Sequence, residues 1–240
     1  MKNFNGFTIH SFEICGSTND EALLCTEDKS VFTAKQQTKG KGRRGRKWLG
    51  EQGNFYTTVL YLLDNTENIG CYSLAAAVSI GEALNILSPS SDISYKWPND
   101  VLLSDKKVCG ILLEIAENPL RLAIGTGVNI TNYPSGLLNY EATSLYEQGI
   151  KTVNRDNLLE TYLELLDFYI KLIKSGETEK IINKWLAKCA HLNSPIKVML
   201  AKRMLFGLFK GLDKNGNLII STSGEVNSEN LIIPAGEILF

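Results

Sequence analysis

Apolar residues along this chain change period several times, and each change marks an element. Residues 7–13 carry a strand-like apolar pattern at Phe7 and Ile9, with Phe12 and Ile14 following. C-G-S-T-N-D at 15–20 reads as a turn opening a short helix through Cys25, with Ser17 or Thr18 as its N-cap. Short strands are predicted at 31–35 and 54–62. A long helix is predicted at 69–87, where Ala75, Ala76, Ala77 and Gly81 imply close packing on a sheet and S-P at 88–89 ends the run. Residues 93–100, I-S-Y-K-W-P-N-D, read as a sheet-edge segment stopped by Pro98, leaving Asn99 and Asp100 at a turn to bond a ligand or the local backbone. Residues 101–103 and 107–115 predict a hairpin, with a third strand at 120–130. The near-continuous apolar run at 108–115 predicts a central strand buried on both faces. At 154–175 the period becomes helical (Leu158, Leu159, Tyr162, Leu165, Leu166, Tyr169, Ile170, Ile173), with Asn154 as cap and Gly176 as stop, and a second helix is predicted at 177–189. From 194 onward short strands alternate with turns such as D-K-N-G-N.

This order predicts an α+β fold: a mixed β-sheet with packed helices over residues 1–192, and a small β unit at 193–240. The second unit is too short to fold comfortably alone and is expected to pack on the first. Composition adds exclusions. The 44% hydrophobic and 21% charged residues are ordinary for a globular protein. Five scattered cysteines without C-x-x-C spacing indicate neither a disulfide framework nor a zinc site, which suits a reducing cytoplasm. The N-terminus lacks the pattern of a signal peptide, and no window approaches the roughly 18 apolar residues a membrane span needs. A formal net charge of -1 excludes the global basic footprint of a dedicated nucleic-acid binder.

Against that balance stands T-K-G-K-G-R-R-G-R-K-W at 38–48, with six cationic side chains (Lys39, Lys41, Arg43, Arg44, Arg46, Lys47) among three glycines. Glycines let backbone N–H groups approach an anion beside the arginine forks. The stretch satisfies G-x-G-x-x-G, but a dinucleotide fingerprint opens directly into a helix, and here a basic loop and a strand follow. Its Walker A spacing lacks the Lys-Ser/Thr pair, and no H-R-D or D-F-G accompanies it as in a kinase. A solvated surface loop, or a nucleic-acid-binding module gripping single strands through the loop and Trp48, stays as an alternative.

K-G-K-G-R-R-G-R-K-W, followed by K-W-P-N-D, D-K-K-V-C-G-I-L-L-E and G-T-G-V-N-I in that order, resembles the biotin protein ligases over essentially the whole chain. The resemblance implies a class II synthetase-like biotin/lipoate ligase fold with a C-terminal SH3-like barrel. It also implies ATP-dependent attachment of biotin to a lysine of a biotin carboxyl carrier protein through biotinyl-5′-AMP. Lipoate or octanoate ligases and transferases of the same fold are the nearest alternative. By matching motif, Ser17, Thr18, Asn19, Gln36, Lys41, Gly42, Arg43, Lys107 and Gly110 resemble the biotin-binding set, with Lys107 and Arg43 as catalytic residues. Arg46, Trp48, Asn99 and Asn129 resemble ATP or adenylate contacts. Lys41 stands where many members have arginine. ATP and biotin are the implied substrates, with Mg2+ arriving on ATP and no protein metal site. With S-T-N reached by residue 17, no DNA-binding domain is expected and no DNA or membrane partner; a homodimer is left open.

Overall fold

The computed structural model describes residues 2–89, 91–134, 141–201, 203–222 and 230–239. Its first unit is an eight-stranded sheet in the order β1-β2-β3-β4-β8-β7-β6-β5. The strands are β1 (Lys2–Phe4), β2 (Phe7–Cys15), β3 (Ser30–Gln37), β4 (Phe55–Leu62), β5 (Ile93–Lys96), β6 (Asp100–Leu103), β7 (Lys106–Ala116) and β8 (Arg121–Val128). Only β2 and β3 run parallel, because α1 (Thr18–Leu24) carries the chain back between them; the other neighbours are antiparallel.

The two faces of the sheet are covered unequally. On one face lie α2 (Ile69–Leu87), α3 (Arg155–Lys174) and α4 (Thr178–Ala187), and their apolar sides merge with the strands into one core containing Tyr61, Leu84, Ile124, Tyr162 and Trp185. On the other face α1 is the one helix among the described residues that packs, over a small cluster of Ala22, Phe32, Leu60 and Ala123. Period-2 alternation explains the division: Val59 and Tyr61 of β4 join the large core while Leu60 between them joins the small one. The remainder of that second face is open, and it corrects the expectation for β7. Cys109 and Ile111 are buried, but Gly110, Leu112 and Glu114 are only half-buried, because among the described residues they are covered by the β3–β4 loop and the edge of α1, where Asn19 meets Glu114, and not by a packed apolar layer.

Helix boundaries follow local chemistry. Asn154 caps α3 by accepting from the N–H groups of Asp156 and Asn157, and its own N–H donates to Asn157 Oδ1 in return. Beyond α3, Gly176 takes the left-handed φ of +80° that ends the run. The buried stripe of α3 includes Leu163, while Leu159 and Leu165 flank it. Over α2 the chain does carry a window long and apolar enough to cross a bilayer, contrary to the expectation from sequence. That window is 72% buried, since the sheet and α3 pack around it.

The second unit is an antiparallel five-stranded sheet, β12-β11-β10-β9-β13, formed by β9 (Pro195–Met199), β10 (Met204–Leu212), β11 (Leu218–Ser221), β12 (Asn230–Ile233) and β13 (Glu237–Leu239). Its apolar residues Ile196, Val198, Phe209 and Ile220 are continuous with the main core. The indole N–H of Trp97 donates to the Gly216 carbonyl at 3.1 Å, and Thr178 Oγ1 donates to the Lys214 carbonyl at 3.1 Å. The small unit is thereby held beside the open face.

Candidate functional site

Two strands build the floor of a cavity of about 320 Å³ on the open face. Gly110 on β7 and Gly127 on β8 are paired across the ladder, and the Trp48 ring lies on both. A Cβ at either position would stand 2.8 Å or 2.7 Å from that ring, closer than real Cβ atoms come, so the tryptophan requires glycine beneath it. Gly125 is glycine for the same reason, since a Cβ there would collide with Asn19 Oδ1.

One end of the cavity is neutral and polar. Ser17, Thr18 and Asn19 enter it at the start of α1, all buried. Ser17 occupies the N-cap position but makes no side-chain cap bond, so capping does not account for its hydroxyl. Thr18 donates from N (2.8 Å) and Oγ1 (3.1 Å) to Gln37 Oε1. The Thr58 hydroxyl donates to Asn19 Oδ1 at 2.6 Å, and Asn19 Nδ2 donates to Glu114 Oε2 at 2.8 Å.

The other end is cationic. Lys107, at the start of β7, pairs with Asp100 at 2.7 Å, and its ammonium lies 5.5 Å from the centre of the Trp48 ring. Both partners are mostly buried, at 13% and 17% side-chain exposure, so the charge is held in a low-dielectric position. Asn99 Nδ2 donates to the Ile111 carbonyl at 2.7 Å and its Oδ1 accepts from Arg43 Nη1 at 3.3 Å. Burial, then the neighbouring Arg44, holds the Arg43 guanidinium below its ordinary value, and burial does the same to the Lys96 ammonium. A water-poor cluster of cations is poised to gain from an anion.

The loop between β3 and β4 closes over this floor as a small hairpin. Gly42 N donates to the Arg46 carbonyl at 2.7 Å and Trp48 N to the Gly40 carbonyl at 3.0 Å. Between them a single 3-10 turn, Arg43–Gly45, holds Arg44 at φ 56° and Gly45 at φ 73°. Outside the turn Arg46 Nη1 donates to Glu237 Oε1 of β13 at 2.7 Å, and Arg44 Nη2 donates to the Met199 carbonyl at 2.9 Å.

Of the residues singled out from sequence, Ser17, Thr18, Asn19, Lys41, Gly42, Arg43, Arg46, Trp48, Asn99, Lys107 and Gly110 line the cavity. Gln36 and Asn129 do not. Adjacent strand residues point to opposite sides, so only one of the Q-Q pair can enter, and Gln37 is the one fixed by Thr18. Asn129 is buried behind the floor, donating through Nδ2 to the Thr143 carbonyl at 3.1 Å. Residues missed from sequence are Gln37, Lys96, Gly125, Gly127 and Glu237. Lys96 opens K-W-P-N-D and both glycines lie in G-T-G-V-N, so those motifs held the signal; nothing local marks Glu237. Among the described residues no group of three or more His, Cys, Asp or Glu could hold a metal ion.

A half-open sheet carrying a polar pocket, a cationic pocket and a glycine-arginine lid defines a class, and the model of the biotin/lipoate A/B protein ligase family matches residues 13–129. A second model, the biotin protein ligase C-terminal domain, matches 191–240. The chain is 33% identical over 236 residues to the biotin–[acetyl-CoA-carboxylase] ligase of Paracoccus denitrificans, covering 93% of this chain and 97% of that one. It is 29% identical to the bifunctional ligase/repressor BirA of Escherichia coli, covering 92% of this chain and 71% of that one. The Aquifex aeolicus biotin protein ligase in complex with biotin and ATP superposes with a TM-score of 0.84 at 29% identity, covering 96% and 97% of the two chains. The chain belongs to the biotin protein ligases.

Proposed function

We propose that this chain joins biotin to a specific lysine of a biotin carboxyl carrier protein in two ATP-dependent steps in the cavity described above. A carboxylate oxygen of biotin attacks the α-phosphorus of ATP and pyrophosphate leaves, giving biotinyl-5′-AMP. The neutral ε-amine of the carrier lysine then attacks the biotinyl carbonyl, AMP leaves, and the amine gives up a proton as the amide forms. The observation that carries the reading is one cavity that joins a neutral, hydrogen-bonding end to a buried cationic end beneath the glycine-arginine loop.

Each end has a task. Thr18, Asn19 and Gln37 offer donors and acceptors suited to the ureido group of biotin, with Ser17 beside them. Lys107 and Arg43 stand where the biotin carboxylate meets the α-phosphate. Two anions repel there, and the five-coordinate phosphorus gathers further negative charge, so fixed cations lower the barrier. Arg46, Lys47 and Lys96 suit the outer phosphates, and Asn99 holds Arg43 in place. The face of Trp48 suits adenine. Magnesium accompanies ATP on its phosphates, and Asp100, the carboxylate nearest the cationic end, is already paired to Lys107.

The test is exchange of labelled pyrophosphate into ATP. Exchange should appear with biotin and vanish without it, and lipoate should not replace biotin. Exchange that ignores biotin, or follows lipoate instead, rejects the assignment.

A further inference from the structure

Lys41, at the edge of the cavity, faces two carboxylates of the protein. Its ammonium pairs with Asp20 Oδ1 on α1 and stands 3.4 Å from Glu114 Oε1 on β7. One positive charge facing two carboxylates adds no net positive potential to the cavity. The hydrogen bond to Asp20, before other influences, raises the lysine's proton affinity. Glu114 is no chance neighbour: its second oxygen is held by Asn19 at 2.8 Å, and Asn19 is held by Thr58.

We propose that Asp20 and Glu114 are positioning residues, which latch the loop at Lys41 over the biotin end of the cavity. The idea deepens the ligase reading above and rests on it for its chemical purpose. Lys41 lies between Gly40 and Gly42, whose own conformations resist little, and it is bridged to Lys47 across the loop hairpin. Fixing Lys41 to α1 and β7 therefore also places Lys47 and Trp48. The latch joins the lid to the two elements that supply Asn19 and the glycine floor, so the loop closes where water would otherwise reach a mixed anhydride. Arg43 and Lys107 are left to face the reacting groups. A lysine with two carboxylates is a weaker clasp than an arginine fork in the same place, because its point charge cannot serve both acids in bidentate fashion.

The neutral variants Asp20→Asn and Glu114→Gln remove charge while leaving Asn19 an acceptor at position 114. In a single-turnover reaction without carrier, each should speed escape of biotinyl-5′-AMP roughly two- to fivefold, the range of partly exposed ion pairs. Lys41→Met should match the Asp20→Asn/Glu114→Gln double variant, and the triple variant should be no worse than Lys41→Met. Raising NaCl to 1 M should loosen the wild type more than Lys41→Met, which keeps only the salt-sensitive pairs of Arg44 and Arg46 with Glu237. Lys41→Arg should retain the intermediate at least as well as wild type. If the acid variants retain it like wild type, or their effect adds to that of Lys41→Met, Lys41 is a direct ligand contact and the latch is wrong. Limited trypsin cleavage of the basic loop, without substrates, reads the same clasp independently of chemistry. Faster cutting of Asp20→Asn/Glu114→Gln supports the latch and equal cutting overturns it. A wild-type protein that forms no adenylate overturns the ligase reading instead, and the cleavage result still decides the latch.

Discussion

The floor of the cavity and its rim are both rich in charge and hold it in opposite ways. On the floor, Lys107 and Asp100 are mostly buried and Asn99 is tied to the β7 backbone, so the groups are fixed before any ligand arrives. On the rim, Lys41, Arg44 and Arg46 are substantially exposed and take their partners, Asp20, Glu114 and Glu237, from three different elements. Buried, preorganised charge acts most strongly on a transition state, whereas exposed pairs contribute little each and yield to salt. On the ligase reading proposed above, the difference leaves chemistry to the floor and placement of the loop to the rim.

The largest expected effect falls on the floor. Lys107→Met should lower the rate of adenylation by about 10²- to 10³-fold, the usual cost of one preorganised donor, with a much smaller change in KM for biotin. It also leaves Asp100 buried without its cation, which destabilises the fold, so thermal unfolding must be followed alongside. A folded variant within tenfold of wild type would break the comparison, because the fixed cation would then be dispensable.

The same contrast governs how much could be read from sequence. The helices α2 and α3 were legible because their apolar spacing and the capping Asn154 act within a few residues, and the basic loop announced itself by composition. K-W-P-N-D contributed Asn99 to the floor, whereas the residue singled out in G-T-G-V-N-I, Asn129, lies behind it and the two glycines of that motif, which carry the floor, were passed over. Three things were illegible for physical reasons. Gln36 and Gln37 differ only in which way a strand end points, which Thr18 decides from α1. The apolar run of β7 reads as two-sided burial, yet one of its faces is covered by a loop that bears no apolar pattern. Glu237 enters from 191 residues beyond Arg46 through the packing of the small unit, and no local pattern encodes that distance.

A second test uses the floor's geometry without touching its charge. Gly127→Ala puts a methyl group 2.7 Å from the Trp48 ring, and the ladder pairing of Gly127 with Gly110 leaves the strand little freedom to retreat. The indole must lift, taking with it the wall suited to adenine. Displacement of about 1 Å in such a site can cost on the order of 10²-fold, so kcat/KM for ATP should fall by between tenfold and a hundredfold, with a change in tryptophan fluorescence. KM for biotin should move less, since Thr18 and Gln37 are held by each other, and Asn19 by Thr58, with no bond to the indole. Equal losses for both substrates would show that the floor is one undivided pocket.

The smallest effect belongs to the rim, and its sign is informative. Glu237 Oε1 accepts from Arg46 at 2.7 Å, while its other oxygen lies 3.6 Å from Arg44. If the small unit serves to hold these arginines in place, Glu237→Gln lets them sample more conformations, and binding the triphosphate must then order them. KM for ATP should rise roughly fivefold, with kcat changed by less than a factor of two, as expected for an exposed pair. If Glu237 instead competes with phosphate for Arg46, the same variant lowers KM. A rise that disappears at 1 M NaCl identifies the carboxylate as an anchor, because salt removes from the wild type what the substitution removes from the variant. A fall in kcat as large as that of Lys107→Met would move Arg46 from the rim to the chemistry.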